Sequence, residues 1–222
     1  MIIVDVEQGS PEWLAIRLGL ASASRFKDVL SEPKSKADKE AGALSETAKT
    51  YMNSLIAEVI TGEQAIVTGK ALEWGSEHES CARVEYEFGS GVAVKEIGVC
   101  IHDNRMIGAS PDGFVGADGM IEVKCPYVSA NHVKTVINGT PAEHMPQIQG
   151  NLWINGREWC YFISFDPRVK DENRIFVDRV YRDEAMIKRI ESKTLAFAEK
   201  MQSVLKSKFG IQWDGVNIQE YI

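Results

Sequence analysis

Three residues of this 222-residue sequence have the types and spacing of a metal-assisted hydrolytic site. Asp112 lies between a proline and a glycine, and Glu122 and Lys124 lie two positions apart in an apolar segment. Because side chains alternate along a strand, Glu122 and Lys124 share one sheet face, and a hairpin would bring Asp112 to them. Such a group suits a hard cation such as Mg²⁺, which activates a bound water. Spacing alone equally allows an exposed turn aspartate and the wet face of an edge strand.

The pattern of apolar residues and turn signals predicts the elements that must position these side chains. Strands are expected at 92–101, at 105–109, on both sides of the turn at 116–119, at 158–166 and at 174–181. Helices are expected at 10–19, 22–30, 45–60, 69–88, from 129, at 141–154 and at 183–206, with a polar loop at 31–43. This order predicts an α/β protein with a central mixed β-sheet flanked by helices, in a single domain over residues 1–222.

Composition sets limits on the function. The chain is 44% hydrophobic and 26% charged, as globular proteins are, and its net charge of −7 argues against a generally basic DNA-binding surface. No apolar run reaches the roughly 18 residues of a membrane span, and no signal peptide is visible, so a cytoplasmic protein without a membrane partner is expected. The four cysteines and four histidines show no paired metal-binding spacing, which disfavours zinc and iron–sulfur sites.

The chemistry-bearing residues also form a recognisable motif. Pro111-Asp112, nine intervening residues and Glu122-Val123-Lys124 make the PD-(D/E)xK nuclease signature. Four further segments match one branch of that superfamily: Trp13 to Gly19 with Ala23-Ser24, Trp74-Gly75 with Glu79, Ser110 to Gly113, and Gln147-Ile148-Gln149 with Trp153. On these residues the sequence resembles the lambda exonuclease (YqaJ-type viral recombinase) family. The resemblance implies a restriction-endonuclease-like PD-(D/E)xK core.

The resemblance also implies a role for each matching residue. The catalytic group would be Asp112, Glu122, Lys124, Glu79 and Gln149. The metal, Mg²⁺ with Mn²⁺ as a substitute, would be held by Asp112, Glu122 and the Val123 carbonyl. The 5′-phosphate pocket would be Arg17, Ser24 and Ser110, and Lys70 and Leu72 would lie near the duplex end. Taken singly, these are ordinary surface, capping or core residues; for example, Arg17 could simply pair with Glu12 or Asp28.

By resemblance, the protein would be a 5′-to-3′ exonuclease that digests one strand of linear double-stranded DNA to mononucleotides and leaves 3′ overhangs. Its partners would be a single-strand annealing protein and two further copies in a homotrimeric ring, often encoded by phage or prophage. A ring also answers the charge objection, because a positive lumen is compatible with an acidic exterior. Two alternatives remain open: a PD-(D/E)xK nuclease of other polarity or endonucleolytic mode, and a DNA-end-binding module that does not cut.

Overall fold

The strands form two four-stranded mixed sheets in a computed structural model that describes residues 1–65 and 68–219. The first sheet has the order β1-β3-β4-β2, and the second has the order β5-β6-β7-β8. Their bounds are β1 Ile2–Val4, β2 Ala21–Ser22, β3 Val99–Ile101, β4 Ile107–Ala109, β5 Gly113–Val115, β6 Gly119–Lys124, β7 Trp159–Phe165 and β8 Ile175–Tyr181. Strand β2 is parallel to β4 and β6 is parallel to β7, while the remaining pairs are antiparallel.

Eight α-helices flank these sheets within the described residues, which confirms the predicted α/β class. They are α1 Pro11–Ile16, α2 Phe26–Val29, α3 Lys36–Glu40, α4 Glu46–Thr61, α5 Lys70–Ser90, α6 Ser129–Asn138, α7 Met145–Asn155 and α8 Glu184–Phe209. The Ser10, Ser45 and Asp183 side chains accept hydrogen bonds from the first backbone amides of α1, α4 and α8. Each thereby satisfies a donor that has no partner inside the helix. None of these helices is long and apolar enough to cross a membrane.

Three predicted elements differ from the structure. The strand expected at 92–101 is confined to β3, because Lys95 pairs with Phe114 only as an isolated bridge. The helix expected at 22–30 begins as strand β2 and a short 3₁₀ turn at Ala23–Arg25, because residues 21–22 pair with β4. The loop expected at 31–43 contains α3, whose Ser35 side chain caps the Asp38 amide.

Strand β6 is covered on both faces, which explains why Gly119 to Val123 are all buried and only Lys124 at its end is half-buried. On one face, Ile121 packs with Ala82 and Tyr86 of α5. On the other, Met120 belongs to the main core with Ile148 of α7. Full burial of side chains of this size contributes about 1.5–3 kcal/mol each. Polar side chains on this second face therefore lie between the sheet and α7 rather than in open solvent.

Candidate active site

The β5–β6 hairpin brings Asp112, Glu122 and Lys124 together. Asp112 directly precedes β5, whose first residue pairs with Ile121 in β6. Its Oδ2 accepts a hydrogen bond from the Val123 backbone amide, which fixes the carboxyl group beside β6. Lys124 Nζ donates to Glu122 Oε1 on the same face of the strand. The alternative of an exposed turn and wet edge strand does not apply, because Glu122 is fully buried and β6 is an inner strand.

The electrostatics of this cluster are dominated by negative charge. Burial, reinforced by the nearby Glu122 and Glu79 carboxylates, raises the pKa of Asp112 well above its ordinary range. Burial and Glu122 also raise the pKa of Glu79, which Lys124 partly offsets. Burial lowers the pKa of the Lys124 ammonium, but Glu122 and Asp112 raise it by more, so this lysine stays protonated. Three carboxyl groups thus share one ammonium, and the site favours an additional cation.

Asn151 of α7 completes the cluster, although sequence reasoning did not single it out. Its side chain is buried, and its Nδ2 donates to Glu122 Oε2 at 3.0 Å. Its Oδ1 is also buried and has no hydrogen-bond partner in the part of the chain that the structure describes. The available signal was its spacing, since Asn151 lies one helical turn after Gln147 in the motif that also contains Gln149.

Gln149 is not brought to this cluster. Its Nε2 donates to the Tyr181 carbonyl at 2.9 Å, and its Oε1 accepts from the Asp183 amide at 2.9 Å. Both ends of this buried amide thereby tie α7 to the junction of β8 and α8. Gln147, four positions before Asn151, shares the helix face that approaches Glu122 and is only half-buried. The geometry therefore favours Gln147 over Gln149 as the glutamine of the site.

The donor set fits a divalent cation, although the described residues include no group of three or more His, Cys, Asp or Glu side chains arranged around one point. The Lys124 ammonium engages Glu122, and the Val123 amide engages one Asp112 oxygen. The chemistry of the donors nevertheless suits Mg²⁺, because carboxylate and carbonyl oxygens are its preferred protein ligands. The excess of carboxylates and the unpartnered Asn151 Oδ1, which a water of a hydrated ion could satisfy, point the same way.

The residues expected to bind a 5′-phosphate lie at the carboxyl ends of the parallel strands β2 and β4. Ser22 of β2 is opposite Gly108 of β4. Ser24 and Ser110 each follow two residues later, so both lie beyond the same end of this strand pair. Ser24 is exposed, and its Oγ lies 3.1 Å from that of Ser22.

Arg17 is linked to the end of β2 through Tyr51, a buried tyrosine whose contribution to this pocket sequence reasoning missed. The Tyr51 hydroxyl accepts from the Ser22 amide at 3.0 Å, and Tyr51 and Glu58 interact electrostatically with Arg17. The Arg17 guanidinium stacks on Trp13 at 3.8 Å, and burial lowers its pKa. Arg17 therefore stands close to the serine-bearing end of β2 rather than in a surface ion pair with Glu12 or Asp28, whose carboxylate pairs with Arg25.

Leu72 borders the same groove as the acidic cluster. A cavity of about 270 Å³ is lined by Leu72, Gly75 and Ser76 of α5 together with Glu79, Val123 and Lys124. Leu72 is 54% exposed, although it is a large apolar side chain, whereas Lys70 begins α5 and does not line this cavity. The structure thus brings Leu72 to the site and leaves Lys70 outside it.

Solved structures share this fold. The chain matches the alkaline exonuclease LHK-Exo from Laribacter hongkongensis with a TM-score of 0.80 and 36% identity, over 89% of this chain and 95% of that one. The complex of LHK-Exo with dAMP matches equally well, over 90% of this chain and 98% of the other. A phage-related exonuclease from Haemophilus somnus 129PT shares the fold, with a TM-score of 0.69 and 23% identity over 86% of this chain and 96% of that one.

Sequence comparison identifies the family. The ExoD protein of Escherichia coli strain K12 is 32% identical over 73 residues, which are 32% of this chain and 83% of that protein. The family model of the YqaJ-like viral recombinase domain matches residues 12–158. This match spans the phosphate-pocket residues, the hairpin and α7, and covers more than half of the sequence. The chain belongs to the family of YqaJ-like viral recombinase domains.

Proposed function

We propose that this protein is a Mg²⁺-dependent exonuclease that digests one strand of linear double-stranded DNA from its 5′ end. The observation that carries the proposal is the cluster of Asp112, Lys124 and the buried Glu122 on the β5–β6 hairpin. A binding module has no need of a lysine held against a buried carboxyl group with a second carboxyl group beside it. Family membership and the 36% identity to an alkaline exonuclease support a nuclease reaction on DNA. The relative's complex with dAMP supports a mononucleotide product.

The chain's own residues divide the work of phosphodiester hydrolysis. Asp112, Glu122 and the Val123 carbonyl would hold the metal, and Asn151 orients Glu122. When bound, the metal lowers the pKa of a coordinated water and stabilises charge on the phosphate oxygens. Lys124 is protonated, and its positive charge would stabilise the negative charge that develops on the phosphoryl oxygens. Glu79 lines the groove beside Lys124, Gln147 lies on the helix face of Asn151, and both would help to position the attacking water.

The direction of digestion follows from the second anchoring point. Arg17, Ser24 and Ser110 supply a guanidinium and two hydroxyls, which are groups that bind phosphate oxygens. A terminal 5′-phosphate held there would place the first phosphodiester at Lys124, so each cut would release one nucleotide and leave a 3′ overhang. Fixing the end in this way turns hydrolysis at an arbitrary position into stepwise hydrolysis.

The assembly belongs to the same proposal. The net charge of −7 is unfavourable for DNA binding by a single copy. A homotrimeric ring around the duplex, formed by chains that each contribute one domain, would keep the enzyme on its substrate by topology. The 3′ overhang is the substrate of a single-strand annealing protein, which is the expected partner in recombination. Sedimentation analysis with and without DNA tests the ring, since a processive monomer would contradict it.

End-labelled DNA tests the reaction. Linear duplexes carrying a label at either the 5′ or the 3′ end, with and without a 5′-phosphate, would be digested in Mg²⁺, Mn²⁺ or EDTA. We expect mononucleotides from the 5′ label first, faster digestion of the phosphorylated end, and no product in EDTA. Lys124→Ala should lower the rate by about 10³-fold. Internal cuts or loss from the 3′ end would contradict the polarity, and DNA binding without cleavage in any divalent metal would leave an end-binding module.

A further inference from the structure

A second cavity, of about 570 Å³, adjoins Lys124 on the side away from Glu79. Its floor is the second sheet, where Phe162 and Ser164 of β7 are paired with Glu122 and Lys124 of β6. Its walls are α6 and the segment leading into α7. This volume lies within the range of protein sites for small organic ligands. Lys124 lines both this cavity and the groove that contains Glu79, so the two spaces adjoin the same reacting group.

The cavity contains a flat aromatic surface next to positive charge. The His144 imidazole stacks on Phe162 with the ring centroids 5.2 Å apart and an angle of 26° between the planes. Burial, reinforced by the charges of Lys124 and Lys27 and partly offset by Glu143, lowers the pKa of His144 to about 4. The imidazole is therefore uncharged at neutral pH. It offers a π-surface, which suits a nucleobase rather than a phosphate.

His144 lies near the groups proposed to bind the two phosphates of the terminal nucleotide. Lys27 lies in α2, three residues after Ser24, and its charge reaches His144, as does that of Lys124. The first residues of α2 pack against α7, where Phe26 contacts Gly150 and Trp153. His144 therefore lines the cavity that Lys124 also lines, and it lies within electrostatic reach of Lys27, which follows the serine-bearing end of β2. A nucleotide whose 5′-phosphate is held at Ser24 and whose 3′-phosphate reaches Lys124 would have its base near this side chain.

We infer that the His144 ring, supported from behind by the buried Phe162, binds the base of the 5′-terminal nucleotide while its 3′-phosphodiester is cut. His144 is then a positioning residue for the reacting bond, and its contact is independent of base identity because every base has a π-face. This inference rests on the proposed exonuclease function and names the part of the substrate that the 570 Å³ cavity receives.

The contact is tested by combining a substitution at His144 with removal of single bases from the substrate. The substrates are 5′-phosphorylated linear duplexes that are normal, abasic at the terminal nucleotide, or abasic at the second nucleotide. Release of the first nucleotide is measured in single turnover. We expect removal of the terminal base to slow the wild type by about 5- to 50-fold, and His144→Ala to slow the normal substrate by a similar factor with little further loss on the terminally abasic one. His144→Phe, which keeps a flat ring, should stay within about 3-fold of the wild type.

His102 provides the matched control, because its ring also lies against an aromatic residue, Trp153 at 5.3 Å, but does not line the cavity. His102→Ala should leave the single-turnover rates on all three substrates unchanged. The inference is overturned if the effects of His144→Ala and the terminal abasic site multiply, if the second abasic position gives the larger loss, or if His144→Phe is as slow as His144→Ala.

A binding measurement separates this inference from the proposed function. Calorimetric titration with thymidine monophosphate and with deoxyribose 5-phosphate needs no cleavage. We expect His144→Ala to weaken binding of the nucleotide by about 5-fold or more and to leave the affinity for the base-free sugar phosphate unchanged. Equal effects on both probes would overturn the base contact, whereas a wild type that binds the nucleotide through His144 but never cuts DNA would contradict only the exonuclease proposal.

Discussion

The Asn151 amide donates to the buried Glu122 carboxylate at 3.0 Å and so links helix α7 to the candidate metal site on β6. Glu122 has Lys124 on one oxygen and Asn151 on the other, which fixes the plane of the carboxylate. Groups that orient a metal ligand in this way usually change metal affinity by about 10- to 100-fold when they are removed. We therefore expect Asn151 to position Glu122 without touching the metal itself.

Asn151→Ala should raise the Mg²⁺ concentration for half-maximal activity by about 10-fold. The physical reason is that Glu122 loses the donor that holds its second oxygen toward the site. The measurement is the initial rate of DNA digestion as a function of Mg²⁺ concentration. Asn155→Ala is the matched control, because Asn155 lies one turn further along α7 and donates to the Asn151 carbonyl rather than to Glu122. Equal metal requirements in the two variants would contradict the role of Asn151.

Gln147 and Gln149 should separate activity from stability. Gln149→Ala removes two buried hydrogen bonds and should lower the free energy of unfolding by ~1–3 kcal/mol, with the rate per folded molecule little changed. Gln147→Ala should leave stability unchanged and slow cleavage about tenfold, the effect of losing one polar contact in the transition state. Urea denaturation and single-turnover digestion of both variants check this. The opposite pattern would return the catalytic role to Gln149, as the sequence motif first suggested.

Arg17→Ala should abolish the preference for a 5′-phosphorylated end. Without the guanidinium, the pocket keeps only the neutral hydroxyls of Ser24 and Ser110, so rates on phosphorylated and hydroxyl ends should converge. A charge-assisted hydrogen bond of this kind is worth ~1.5–3 kcal/mol, which is about 10- to 150-fold in rate ratio. The measurement is the ratio of the digestion rates of 5′-phosphorylated and 5′-hydroxyl duplexes that compete for the same enzyme. Arg189→Ala is the control, because Arg189 pairs at the surface with Glu32 and is not one of the proposed phosphate-pocket residues.

The hairpin of the site could be predicted from the sequence because its signals are local. Glu122 and Lys124 share one face because side chains alternate along a strand, and the glycines favour the turn between β5 and β6. Neither signal depends on residues far away in the sequence. The contribution of α7 could not be predicted in the same way. Gln147 and Gln149 lie about 200° apart around a helix, so which of them faces the sheet depends on how α7 packs. That packing is set by distant residues, including the contact of Gly150 with Phe26.

The same reasoning explains the two sheets and the phosphate pocket. Strands β1, β2 and β3 are only two or three residues long, which is too short for a periodic pattern to define their pairing. Tyr51 has the helical spacing of a core residue, and it is one, yet its hydroxyl also holds the Ser22 amide beside Arg17. A buried tyrosine that serves both purposes leaves no trace in the spacing of apolar residues.

Asp166→Asn should destabilise the fold in a pH-dependent manner. Burial raises the pKa of Asp166, but hydrogen bonds from Arg168 and Ser129 lower it to about 2 overall. The ordinary carboxyl pKa is about 3.9, so the ionised group stabilises the folded state above pH 4, and this contribution is lost as the pH falls from about 4 to 2. The substitution should therefore cost ~1–3 kcal/mol at pH 7 and progressively less below pH 4.

Urea denaturation across this pH range is the measurement. The charge pair between Glu46 and Lys49 is exposed, so Glu46→Gln should change the free energy of unfolding by less than ~0.5 kcal/mol. Arg168 also donates to the Pro126 carbonyl at 3.0 Å and stacks on Trp74, so the Asp166 pair ties the end of β7 to α5 and to the segment after Lys124. A pH-independent loss in Asp166→Asn would show that packing, and not the carboxylate charge, is responsible.

Leu72→Ala should slow the digestion of blunt duplexes more than that of ends that are already unpaired. The side chain is 54% exposed and lines the cavity that Glu79 and Lys124 also line. Under the proposed function, a duplex end would have to open here before its terminal phosphodiester reaches the site. Unstacking a base step costs a few kcal/mol, which an inserted apolar side chain offsets in part. Rates on a blunt duplex and on one with two mismatched terminal pairs are the measurement. We expect a loss of about 10-fold on the first and less than about 2-fold on the second. Lys70→Ala, one helical position outside the cavity, should slow both substrates equally, and the same equal slowing by Leu72→Ala would contradict a role in strand separation.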